Sequence, residues 1–479
     1  MRAPSAWLQR LGAAAILAVG LALTPAGASA AGVTVIKGFT TEAAGKSYYK
    51  IEVPSSWNGT LVLYSHGYSF SAIGPNDVTD VGDGATGAWL LGHGYALAGS
   101  SYATSGWALQ QAFQDQIALL DVFDEKVGHP ERTIAWGHSL GGMITAGLVQ
   151  LFPNRFTAAL PMCGVVAGGP GVWNQGLDSE FALLTLQAPG AFKLVDFKTL
   201  ASASANFNAA SKALADAQTT AQGRARIALS AALADVPGWF DPTSPQPAAT
   251  DYAAQEVNQF NWDNNPDFAF AFFGRLELEI RAGGNVSWNT GVDYRDQLAR
   301  SADRAEVKAL YKAAGLDLNK DLDTLNDAPR IAADPHAVSY LSKFITYNGD
   351  LDMPVLTLHT TGDGLVEVTD EQAYASVVKS AGDSELLRQT FVHRAGHCTF
   401  TPAETISAFE TLVHRIDTGH WSSTSAATMN AQAAALTTLN IAPPSFIDFK
   451  PSRFLRPFDA RNAGEDQGGD RGSQGDSIG

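Results

Sequence analysis

At 479 residues, with 46 glycines and a hydrophobic fraction of 45%, the chain is long enough for one large domain carrying a sizeable insertion, or for two domains. Its 48 acidic residues against 32 lysines and arginines give a net charge of −16. A surface so negative repels nucleic acid and anionic polymers, so the compounds it suits are neutral or apolar, and no nucleic-acid partner is expected.

Residues 1–30 read as a secretory signal. Arg2 and Arg10 make a basic start, residues 11–23 are apolar but too few to span a bilayer, and Ala28-Ser29-Ala30 has the small-x-small form of a cleavage site. The alternative is a single membrane anchor, but no stop-transfer pattern follows. Cleavage near Ala30 removes two arginines and no acid, taking the charge from −16 to −18. No later stretch is apolar enough to cross a membrane, so a secreted protein without integral membrane association is expected. The two cysteines, Cys163 and Cys398, would then sit in an oxidising space, where one disulfide is the default expectation.

From residue 31 to 167, apolar runs alternate with helical patterns, the signature of an α/β sheet. Residues 60–65 (TLVLYS), 95–100 (YALAGS) and 133–136 (TIAW) read as buried strands, and 158–162 as another. Between the second and third, Leu109, Phe113, Ile117, Leu120, Phe123 and Val127 fall at helical spacing. Residues 168–351 change character: they are rich in Ala, Asn and Asp, helical over 209–217 and 221–234, and poor in strand-like runs. This segment reads as an inserted helical cap. Its aromatics (Trp173, Trp239, Phe240, Trp262, Phe272, Phe273, Trp288) are expected individually to form the cap's own core. Strand character returns at 354–360 (PVLTLHT) and 387–392, followed by a helical pattern over 402–416, so residues 352–461 complete the first domain. The Gly-, Asp- and Ser-rich residues 462–479 are expected to be disordered.

The run Gly137-His138-Ser139-Leu140-Gly141 is a Gly-x-Ser-x-Gly pattern that a chain with 46 glycines would contain roughly 0.3 times by chance. Its context is what counts. A strand precedes it and a helical pattern over 142–151 follows, so Ser139 sits at a strand-to-helix turn that would hold its hydroxyl strained and exposed. A hydroxyl needs a base, and the base a group to hold its tautomer. Asp363 follows the 354–360 strand in Thr361-Gly362-Asp363-Gly364, with Glu367 in reserve. His397 follows the next strand in Ala395-Gly396-His397-Cys398, 34 residues beyond the acid, with His393 as competitor. Two backbone donors are expected to face the oxyanion. One is the N–H of Leu140, and the other is that of Tyr68 in His66-Gly67-Tyr68, with Gly67 as a further candidate. The second copy of that tripeptide, His93-Gly94-Tyr95, precedes a strand instead of following one and is set aside. No metal-ligand spacing appears, and no metal or organic cofactor is expected.

The order strand, HGY, strand, helix, strand, GHSLGG, then TGDGLV, then GHCTF, resembles the α/β-hydrolase superfamily over residues 60–164 and 354–419. The resemblance implies a mainly parallel sheet flanked by helices, a Ser139, Asp363, His397 triad, and a lid formed by the intervening segment. The narrower tannase and fungal feruloyl esterase family joins a cysteine just before the nucleophile to one just after the histidine. Here Cys398 follows His397 but His138 precedes Ser139, a departure from that family. A physically similar device would be a bond between Cys163, ending the strand after the nucleophile helix, and Cys398; the alternative is two buried thiols. Together these readings point to a carboxylic-ester hydrolase acting on a small-molecule or polymeric ester through an acyl-enzyme. The rivals are an exopeptidase on the same fold, needing acidic cap residues for a substrate amine, and a catalytically inactive binding protein.

Overall fold

The computed structural model describes residues 32–42 and 45–458; residues 1–30, expected to be a signal sequence, and 462–479, expected to be disordered, lie outside them. Nine strands form one mixed sheet in the order β1-β2-β4-β3-β5-β6-β7-β8-β9. They are β1 (Val33–Glu42), β2 (Gly45–Pro54), β3 (Thr60–Ser65), β4 (Ala96–Ser100), β5 (Arg132–His138), β6 (Ala158–Met162), β7 (Val355–Gly362), β8 (Leu387–Ala395) and β9 (Phe446–Ile447). The six strands from β4 to β8 run parallel, while β1 and β2 at one edge and β9 at the other pair antiparallel. This is the expected α/β architecture.

Every residue of β3, β4 and β6 is buried, because helices cover both faces of a parallel sheet. That is why these strands read as continuous apolar runs. Helices α1 (Gly84–Gly92), α2 (Leu109–Lys126) and α3 (Leu140–Leu151) connect the first strands. Helix α2 buries the stripe of Leu109, Phe113, Leu120 and Phe123 that its spacing predicts. The chain order places β4 on one side of β3 and β5 on the other. The crevice at the carboxyl ends of β3 and β5 is therefore a topological switch point, where open sheets of this kind form their sites.

Between β6 and β7 lie nine α-helices and no strand among the described residues. They are α4 (Gly169–Gln187), α5 (Leu200–Gln218), α6 (Ala221–Ala232), α7 (Tyr252–Trp262), α8 (Arg275–Ala282), α9 (Tyr294–Arg300), α10 (Arg304–Ala314), α11 (Leu318–Asp327) and α12 (Pro335–Lys343). They bury a core of their own around Phe181, Phe197, Phe272, Tyr294 and Tyr311. Two π-helical turns, Asp263–Asp267 and Phe270–Gly274, separate α7 from α8. The cap is tied to the sheet domain by polar contacts. Glu277 accepts from Trp107 N at 2.8 Å, and Arg281 donates to Ser105 O at 2.7 Å and Gln111 Oε1 at 2.9 Å. After β7, α13 (Asp370–Ala381), α14 (Pro402–Thr418) and α15 (Ala426–Ala435) complete the layers. Among the described residues, no helix is long and apolar enough to cross a membrane.

Candidate active site

Ser139 stands between β5 and α3 with φ 59° and ψ −128°, a conformation that costs a non-glycine residue about 1–3 kcal/mol. The crowding that creates this turn explains the flanking glycines. A Cβ on Gly137 or on Gly141 would collide with the carbonyl oxygen of Ser65 at the end of β3. The turn is held from below by Ser139 N donating to Met162 O at 3.0 Å. Leu140 begins α3, whose leading N–H groups have no acceptor within the helix and so offer a positive pole beside the serine.

The loop after β3 approaches from the other side of the switch point. A Cβ on Gly67 would lie 3.2 Å from Ser139 Cβ and 3.7 Å from its Oγ, so glycine lets the backbone close on the serine. His66 fixes this loop: its ring stacks on Tyr102 with centroids 4.0 Å apart, and its Nδ1 donates to Gly67 O at 2.7 Å. Burial lowers the His66 pKa, which keeps the ring neutral in this structural role. Tyr68 faces the cleft with Ser139 and Leu140.

Asp363 follows the carboxyl end of β7 and is 1% exposed. Its Oδ1 accepts the N–H groups of Leu365 and Val366, each at 3.1 Å, and its Oδ2 accepts from His397 Nδ1 at 2.8 Å. Both glycines beside it are required by packing, since a side chain on Gly364 would enter the indole of Trp262 and one on Gly362 would press on Ala395. The two loops are bound to each other: Gly396 N donates to Gly362 O at 2.9 Å and Thr360 Oγ1 to Gly396 O at 2.8 Å. Helix α14 then starts on a capping box between Thr401 and Glu404.

Cys163 and Cys398 are joined in a disulfide with Cα atoms 5.4 Å apart, and no free cysteine remains. Cys163 adjoins Met162, which holds the Ser139 turn, and Cys398 adjoins His397. One covalent bond thus links the floor of the serine turn to the histidine loop. Among the described residues, three of the six non-glycine residues with positive φ are Ser139, Cys163 and Cys398, so backbone strain gathers around this bond. His397 Nε2 lies 3.4 Å from Cys398 Sγ. A disulfide sulfur has no proton to give, so with Nδ1–H donated to Asp363 the Nε2 lone pair remains free.

The other residues weighed in the sequence fall elsewhere. His393 is exposed at the end of β8, against Trp239. His93 is exposed and stacks on Trp89. Glu367 takes no part in the histidine pairing; it lines the cleft, where burial pushes its carboxyl well up. His138, just before the serine, is packed against Tyr64, and burial lowers its pKa to about 4. Of the seven cap aromatics singled out, Trp173 lines the cleft.

The cleft itself encloses about 960 Å3, counting the part open to solvent. Tyr68, Ser139 and Leu140 form its floor, and the cap supplies a wall of Trp173, Glu180, Asp263, Asp267, Phe270 and Arg275. Sequence reasoning missed this polar set. Glu180, Asp263, Asp267 and Arg275 lie on two helices and one π-helical turn, up to 95 residues apart in sequence, and nothing local distinguishes them from the cap's many other charged residues.

A mixed sheet with a parallel centre, a strained turn after β5, and an acid and histidine on the loops after β7 and β8 define an α/β-hydrolase, here with serine at the strand-to-helix turn. The chain is 31% identical over 419 residues to the o-phthalyl amidase of Xanthobacter agilis, covering 82% of this chain and 90% of that enzyme, and belongs to its family within the α/β-hydrolase superfamily. The family model of the Prolyl oligopeptidase family matches residues 82–168, which span the serine turn. Among solved structures, the chain is similar to the rice cell wall degrading esterase LipA of Xanthomonas oryzae. Identity there is 13% over 81% of this chain and 90% of that one, with a TM-score of 0.37. It is also similar to the acylaminoacyl peptidase of Pyrococcus horikoshii, with 10% identity over 81% of this chain and 41% of that one and a TM-score of 0.38.

Proposed function

We propose that the chain is an exported serine hydrolase that cleaves carboxylic esters and amides through an acyl-enzyme, with Ser139, His397 and Asp363 as its triad. The observation that carries this reading is the 2.8 Å His397–Asp363 hydrogen bond, made on a loop covalently tethered beneath the strained Ser139 turn. Ser139 Oγ attacks the carbonyl carbon while His397 Nε2 takes its proton, and Asp363 holds the imidazole in the tautomer this requires. The N–H groups of Tyr68 and Leu140 receive the oxyanion. As the bond to the leaving group breaks, His397 returns the proton to the departing alcohol or amine. Water, deprotonated by His397, then releases the acid and restores Ser139. The amidase relative supports extending the reading from esters to amides, and the disulfide fits export to an oxidising space.

A fluorophosphonate should label the protein at Ser139, and Ser139→Ala should remove that label and lower cleavage by on the order of 10⁶. Labelling that survives the substitution refutes the assignment. A second reading, an aminopeptidase, draws on the carboxyl groups of Glu180, Asp263 and Asp267, which the fold brings to one wall of the serine cleft. Acceptance of aminoacyl anilides in preference to simple acyl esters would favour it.

A further inference from the structure

The backbone that closes on Ser139 is aimed by side chains that do not line the cleft. Gln116, buried on α2, donates from Nε2 to Tyr64 O and Ser65 Oγ, each at 2.8 Å, and so fixes the end of β3. Two residues on, the Tyr102 hydroxyl donates to His66 O at 3.1 Å. One residue further, His66 Nδ1 donates to Gly67 O at 2.7 Å. Each of these carbonyls shares a planar peptide with the N–H that follows it, and in a trans peptide the two point in opposite directions. Neither peptide of this loop is cis. Holding His66 O therefore aims the Gly67 N–H, and holding Gly67 O aims the Tyr68 N–H. These N–H groups belong to the loop that a glycine brings against Ser139, where a Cβ on Gly67 would lie 3.2 Å from the serine Cβ.

Tyr102 is itself firmly held. It is 4% exposed and follows β4 with φ 54°, in the left-handed region that non-glycine residues seldom adopt. Its N–H donates to Ser100 Oγ and its carbonyl accepts from Ser101 Oγ, both at 3.0 Å, while Ala103 N donates to Asp115 Oδ2 at 2.8 Å. Burial raises the phenol well above its ordinary value, so the hydroxyl keeps its proton and remains a donor. A phenylalanine would stack on the His66 ring equally well. What the hydroxyl adds is the grip on His66 O.

We propose that Tyr102, acting with His66, is a positioning residue for the oxyanion-binding backbone: the pair presets the Gly67 and Tyr68 N–H groups toward the charge that develops at the scissile carbonyl. The inference rests on the reading of Ser139 as nucleophile and extends it to a residue outside the cleft. An oxyanion exists only in the tetrahedral intermediates and the transition states beside them. A mis-aimed donor therefore weakens those states and leaves ground-state binding alone.

The test is Tyr102→Phe, which keeps the ring on His66 and deletes the hydroxyl, with rates counted per site titrated by fluorophosphonate. On a 4-nitrophenyl ester kcat should fall about 10-fold with KM nearly unchanged, a fraction of the roughly 10²–10³ lost when a donor is removed outright. A trifluoromethyl ketone, whose adduct with Ser139 carries the oxyanion, should bind more weakly by the same factor. The corresponding alcohol forms no adduct and should bind as before. His66→Phe should lose more, about 100-fold, because it frees the Tyr68 peptide directly. His66→Asn, whose amide nitrogen can stand where Nδ1 stands, should recover part of that loss. An unchanged kcat in Tyr102→Phe, a loss carried by KM, or equal weakening of ketone and alcohol would overturn the positioning role. If Tyr102→Phe yields no titratable site, His66→Phe against His66→Asn, read with the same two inhibitors, decides. If the unmodified protein is neither labelled at Ser139 nor active on esters and amides, the hydrolase reading fails and this role falls with it.

Discussion

Beneath the cleft and across it, the catalytic acid and the cap wall bury polar groups in opposite ways. Beneath the cleft, Asp363 has both oxygens engaged, by Leu365 and Val366 N–H on one and His397 on the other. Its loop is bonded to its neighbour through Gly362, Gly396 and Thr360. Across the cleft, Glu180 Oε2, Asp267 Oδ1, and Arg275 Nε and Nη2 are buried without a hydrogen-bond partner. The first arrangement is complete before substrate arrives, as expected of groups that must hold one geometry through a reaction. The second leaves donors and acceptors unpaired at the cleft, as expected of a surface that meets what is bound. Substitutions below the cleft should therefore affect all substrates together, whereas those in the cap wall should change preference and the pH dependence of folding.

The sharpest test of this contrast is Asp363→Asn. The substitution keeps the shape but removes the acceptor that fixes the histidine tautomer, so kcat should fall by about 10³–10⁴ on esters and amides alike. Glu367→Gln, on the same loop but facing the cleft, should cost far less. Steady-state rates on two unrelated acyl groups decide it, and equal losses in the two variants would mean that the acid has been misassigned.

The two regions also differed in how far they could be read from sequence. The runs 60–65 and 158–162 coincide with β3 and β6, because strands buried on both faces are bound to be apolar throughout. The α2 stripe and the order of serine, acid and histidine were equally plain. The hairpin of β1 and β2 was missed. Its alternation is interrupted by threonines and lysines, since β1 is an edge strand with much of its surface exposed. The extension of β8 to Ala395 was missed for a related reason, as His393 and Arg394 are polar residues carried into the strand by pairing with its neighbours. In the cap, helices were legible and purpose was not. Arg275 and Glu180 meet only because the fold brings the start of α8 within side-chain reach of α4, and no local pattern announces a meeting across 95 residues.

Removing the disulfide by Cys163→Ser with Cys398→Ser should have a smaller but broad effect. The bond closes a loop between positions 235 residues apart, and losing it should cost about 2–5 kcal/mol of stability. A looser His397 loop should also lower kcat by about 10–100-fold, the scale of a misplacement near 1 Å. Scanning calorimetry and kinetics on the double variant test both. An unchanged midpoint together with an unchanged rate would show that the noncovalent contacts between the two loops suffice, and that the sheet domain does not depend on this tether.

The effect expected to leave the rate least changed belongs to the cap wall, and its sign follows from the buried acids. Glu180 moves from an ordinary value of 4.5 up to about 7 in the folded protein, and Asp263 from 3.8 up to about 8, in both cases chiefly through burial. Between those limits the folded state binds more protons than the unfolded state, so stability must fall as pH rises from about 4 to 8. Above pH 8 this contribution is fully lost and the slope should level off. Glu180→Gln with Asp263→Asn removes both titrations while keeping shape, so the double variant should lose less stability between pH 5 and pH 8 than the unmodified protein. Urea unfolding at the two pH values measures the difference. Parallel losses in the two proteins would place the protons elsewhere and would mean that the cap wall keeps its acids ionised, which would make the cleft better suited to an amine.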